Sequence, residues 1–131
     1  MTNERRALGV NELDVLLNPL SDGATDARDR ALILVGFVGG LRRSELVAID
    51  IDDLTKTDRG YKLLVRTSKT DQEGRGRTVI LPYSINEALC PVRALDAWVQ
   101  LAEIEEGAVF RRVRRGDTVT DARLTLSLIH I

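Results

Sequence analysis

Residues 39–54 read GGLRRSELVAIDIDDL, and the reading of the whole chain turns on this stretch. Just upstream, Ala31 to Val38 is apolar on every side, which suits a central buried helix. Gly39 and Gly40 end that helix, because glycine enters left-handed backbone angles without strain. Arg42 then stands at the head of a new helical segment, expected over about Ser44 to Ala48. Glu45 follows three positions later, on the same face of the segment. An arginine so placed grips planar anions at two points, and Glu45 is near enough to orient it. Asp50 to Leu54 leads out of the segment.

Working outward, Asn11 caps a short first helix through Asn18, with acids in its first turn. Pro19 to Thr25 is a loop, and Asp26 or a neighbour caps the second helix. Downstream the texture changes. Tyr61, Leu63, Val65 and Thr67 alternate at period two, and Arg77 to Leu81 is a second strand ended by Pro82. Gly74 and Gly76 supply turn positions, so the two runs read as a hairpin. Pro91 opens another helix with Val92, Leu95, Trp98, Val99 and Ala102 on one stripe, closed by Gly107. Trp98 reads as a core anchor. Ala108 to Val113 is extended or irregular, and a last helix is expected to start at Asp121. The fold class is α+β, mainly helical with a small antiparallel hairpin or sheet.

Composition sets the class. The chain has 131 residues, 44% hydrophobic and 30% charged, as a soluble globular domain has. Its net charge of −1 gives no global signature of a nucleic-acid binder, yet charge is uneven. Arg59 to Arg77 holds six basic and two acidic residues, and Arg111 to Arg115 reads RRVRR. Acids collect at Asp50 to Asp53 and at Glu103 to Glu106, which leaves room for a locally basic face. The single cysteine, Cys90, excludes a disulfide framework and reads as apolar filler. No secretory pattern opens the chain, and Ala31 to Val38 is too short to span a bilayer. A cytoplasmic protein without a membrane partner is the default.

Gly40, Leu41, Arg42, Ser44, Glu45 and Leu46 match the pattern Gly-Leu-Arg-x-Ser-Glu-Leu, with Arg43 in the variable slot. The stretch resembles the first arginine box of the tyrosine recombinase (phage integrase, Xer- and Cre-like) family. The resemblance extends to the hairpin, where Ser68-Lys69-Thr70-Asp71 sits 27 residues after Arg42, counted to Lys69. It implies that Arg42 binds the scissile phosphate, that Lys69 is the general acid, and that Glu45 supports Arg42. It implies double-stranded DNA as partner, with Arg43, Arg75 and Arg77 against the backbone, and a parent that acts as a homo-tetramer. No metal or other cofactor is implied. Arginines held against the non-bridging oxygens stabilise charge where it develops, and a removed donor of this kind costs about 10²–10³ in rate. A tyrosine of the family keeps the phosphodiester energy as a 3′-phosphotyrosine.

The family's His-x-x-Arg box and its nucleophilic tyrosine have no counterpart in this sequence. His130 is the sole histidine, and Tyr61 and Tyr83 lie upstream of the place for the nucleophile. The expectation is therefore a partial catalytic domain over 1–131, lacking the core-binding domain and the C-terminal catalytic segment, and inactive in cleavage. Residues 126–131, LSLIHI, resemble translated adapter read-through, so about 125–131 is expected to be non-native. The alternative is a non-catalytic helix-turn-helix DNA-binding module, with Ser44 to Ile49 as its recognition helix.

Overall fold

The computed structural model of the chain describes residues 10–17, 20, 23–66 and 76–125. Four helices are present among them: α1 (Val10–Leu17), α2 (Ala24–Gly39), α3 (Arg43–Val47) and α4 (Pro91–Ala102). Five strands form two antiparallel sheets. The first runs in the order β1 (Leu54–Thr57), β2 (Gly60–Val65), β3 (Arg77–Pro82), and the second pairs β4 (Arg111–Arg114) with β5 (Thr118–Arg123). Single 3-10 turns lie at Ile51–Asp53 and Glu87–Leu89. This is the expected α+β architecture.

The core forms where α2 packs on α4 and on the inner face of β3. Ala31, Leu32, Leu34 and Val35 of α2 are buried, as are Val92, Leu95 and Trp98 of α4. Leu63, Val65 and Leu81 close the cluster from the sheet, which bears out the period-two pattern of β2. Trp98 is the expected anchor. It is fully buried, and its indole N–H donates to the Val109 carbonyl at 2.7 Å, which removes the cost of burying a polar group. Cys90 is a buried free thiol just ahead of α4, as an apolar filler should be.

Several sequence expectations need correction. Asn11 lies inside α1 rather than capping it. Gly23, not Asp26, precedes α2, and Asp26 sits in its first turn. α4 ends at Ala102 on Glu103, which takes the left-handed conformation at φ 54°. Gly107 is not its terminator. Ile104 explains the earlier stop: its N–H bonds back to the Val99 carbonyl at 3.1 Å, and its buried side chain holds the turn. The helix expected from Asp121 does not form, because Thr118–Arg123 is β5, paired with β4. β1 joins the sheet as an unexpected third strand.

Candidate functional site

The α2–α3 junction forms as the two glycines demand. Gly40 adopts φ 66° and ψ 38°, and its N–H and that of Leu41 satisfy the Gly36 carbonyl. The chain then straightens at Arg42, φ −81° and ψ 159°, and α3 begins. Arg42 thus occupies the position before the helix, where its carbonyl accepts from Leu46 N–H at 3.0 Å. A cation there opposes the helix dipole, so local stability does not account for it. Arg42 and Arg43 are both exposed, and among the described residues neither guanidinium has a hydrogen bond or ion pair.

Glu45 departs from the expectation in an instructive way. Its carboxylate does not hold the Arg42 side chain. Instead Oε1 accepts the Arg42 backbone N–H at 2.8 Å, closing the first turn. The same carboxylate takes both terminal nitrogens of Arg77, at 2.8 Å to Oε2 and 3.2 Å to Oε1. This two-point grip, with the Arg42 amide assisting against partial burial, holds the Glu45 carboxyl below its ordinary range. The Arg77 guanidinium is raised above its own ordinary value by the same bond. Arg77 opens β3 opposite Val65. Gly76, directly before it, sits at φ 71°, where a β-carbon would come within 2.2 Å of the Val65 carbonyl. Lys69 and Arg75 lie outside the described residues.

The far end of α3 is held as firmly. Arg123 of β5 donates to the Val47 carbonyl at 2.6 Å and to the Ile49 carbonyl at 3.4 Å, and also pairs with Asp50. Asp53, nearly fully buried, accepts the Asp50 N–H at 3.0 Å and Arg66 Nε at 2.9 Å. Arg66 reaches Asp50 as well, at 3.5 Å. The acids of 50–53 therefore receive arginines from two different sheets, and sequence reasoning assigned them no partner. α3 itself runs from Arg43 to Val47, so the recognition helix expected over Ser44–Ile49 ends at Val47, with Leu46 buried.

Arg111 to Arg114 of the RRVRR run form β4, and Arg115 begins the turn to β5. Arg111 is tucked against the Ala108 and Glu106 carbonyls and pairs with Asp121, while Arg112, Arg114 and Arg115 are exposed. Tyr83 is exposed just beyond β3. The Tyr61 hydroxyl donates to Asp96 of α4 at 2.5 Å, and burial raises its pKa above the ordinary phenol value. A neutral, hydrogen-bonded phenol in this setting braces the sheet against α4. Among the described residues, no group of three or more His, Cys, Asp or Glu side chains is placed to hold a metal ion. None of their helices is long and apolar enough to cross a membrane.

Comparison with known proteins adds to this geometry. Over 98 residues, 75% of this chain, the sequence is 42% identical to the Integrase/recombinase xerD homolog of Selenomonas ruminantium. The chain is similar to a recombinase. The match covers 29% of that relative, so the chain spans under a third of its length. No family model matches the chain. The recombinase likeness supports the tyrosine recombinase resemblance carried by Gly40 to Leu46, and it agrees with the mixed helix and sheet composition of the fold.

Proposed function

We propose that residues 1–131 are part of the catalytic domain of a site-specific DNA recombinase or integrase, whose parent cleaves and rejoins duplex DNA through a 3′-phosphotyrosine. One observation carries the reading: the recombinase likeness falls on a chain whose Arg42 is exposed, unpartnered among the described residues, and fixed at the backbone by Glu45. Arg42 binds the scissile phosphate. Lys69, borne between β2 and β3, protonates the leaving oxygen. Arg43 and Arg75 contact the DNA backbone, and a homo-tetramer of the parent assembles on cytoplasmic DNA. The 131 residues alone do not cleave, because this sequence offers no His-x-x-Arg box and no tyrosine beyond β3 and its exit.

A segment exchange tests the reading. The matched residues of the Selenomonas ruminantium relative are replaced by those of this chain, and recombination of the relative's own sites is measured. The chimera is expected to recombine. Arg42→Lys in it keeps DNA binding and lowers cleavage by about 10²–10³, the cost of one removed transition-state donor. Loss of binding and cleavage together would point to a structural role for Arg42. Separately, covalent capture of a nicked duplex by the 131-residue chain would overturn its inactivity.

A further inference from the structure

We propose that Arg66 and Arg77 are positioning residues, which bolt the ends of β2 and β3 to the turn that presents Arg42, and that Arg77 is not a phosphate ligand. The inference rests on the reading of Arg42 given above. Arg66 follows β2 directly, and Arg77 opens β3. Each sends its guanidinium to an acid in the segment running on from Arg42. Arg77 takes Glu45 at two points, and Arg66 takes Asp53 at 2.9 Å and Asp50 at 3.5 Å.

The chemistry of the acceptors makes this more than a surface pairing. Glu45 touches both the Arg42 backbone and Arg77. Asp53 is nearly fully buried, so its carboxylate needs both the Asp50 N–H and Arg66. A five-residue helix has too few internal hydrogen bonds to hold its own orientation. α3 therefore takes its place on the sheet from these pairs, with Arg123 securing the opposite end. A guanidinium already engaged at two points by a carboxylate would have to give up that partner to bind a phosphate. Arg43, with no partner among the described residues, gives up nothing.

The test uses amide resonances of the 131-residue chain. The Arg42 N–H, donated to Glu45, reports the ionisation of that carboxyl directly. In the wild type its shift is expected to titrate with a midpoint below 4.5. Arg77→Ala should raise the midpoint, and Arg77→Lys should restore part of the difference. Hydrogen exchange at the β2–β3 end should quicken by about fivefold in Arg77→Ala and in Arg66→Ala, the scale of an exposed ion pair. In parallel, the salt dependence of duplex binding should keep its slope in Arg77→Ala and lose about 0.9 in Arg43→Ala. An unmoved Arg42 midpoint, or a slope lowered by about 0.9 in Arg77→Ala, would overturn the inference. Failure of every variant to bind duplex counts against the proposed function alone, since the midpoint and the exchange rates still decide the role of Arg77.

Discussion

The α2–α4 core and the α3 junction are built on opposite principles. In the core, Leu34, Leu95 and Trp98 are buried, and the polar atom of these three side chains, the indole nitrogen, is bonded to Val109. At the junction the contacts are charged: Glu45 with Arg77, Asp53 with Arg66, and Asp50 with Arg123. Apolar burial is non-directional and scales with area, so it supplies stability with little say over angles. Bidentate ion pairs contribute less free energy when half exposed, but they fix distance and orientation. The molecule thus separates holding together from holding in place.

The sharpest way to break this division is Trp98→Ala. It removes the largest buried side chain and leaves the Val109 carbonyl unpaired, so a loss of about 3–5 kcal/mol is expected in urea unfolding. If the loss were under about 1 kcal/mol, the core would not be the source of stability. Asp53→Ala should come next, at about 1–3 kcal/mol, because Arg66 Nε and the Asp50 N–H both lose their acceptor. Gly40→Ala forces a β-carbon into a left-handed position with open space around it, so only backbone strain of about 1–2 kcal/mol is expected. Thermal melts of the two variants would rank them.

The smallest effect is one of pH. Glu45 has a folded pKa below its ordinary 4.5, so its pairing contributes stability above that value. The contribution is lost as pH falls through the folded pKa, and Arg77→Ala should flatten this part of the stability profile. A wild-type and a variant profile that run parallel from pH 6 to pH 3 would show the junction to be energetically idle as well as exposed.

Legibility in the sequence follows the same division. Features set by local chemistry were readable: the glycine stop of α2, the proline start and apolar stripe of α4, and the alternation of β2. β1 was not, since Leu54 is its one inward residue of four and no period can be read from one position. β5 was misread because Asp121 resembles a helix cap, and its strand identity comes from pairing with β4, not from burial. At the candidate site, Arg42 and Glu45 stand out in the sequence, but the side-chain partner of Glu45, Arg77, does not. Glu45 and Arg77 lie 32 residues apart, and nothing in either neighbourhood announces the other. Adjacent charges invite pairing on paper, whereas the fold had a better-oriented guanidinium available across the sheet.

The brevity of α3 carries one more consequence, which concerns time. A single helical turn does not persist alone in water, and both of its fastenings come from strands that follow it in the chain. The turn that presents Arg42 is therefore expected to be among the last features to set during folding. Substitutions at Arg77 should accordingly speed unfolding and leave the folding rate almost unchanged. A nascent or half-collapsed chain then carries Arg42 without the Glu45–Arg77 pair, and the candidate site is assembled only once β3 and β5 have arrived.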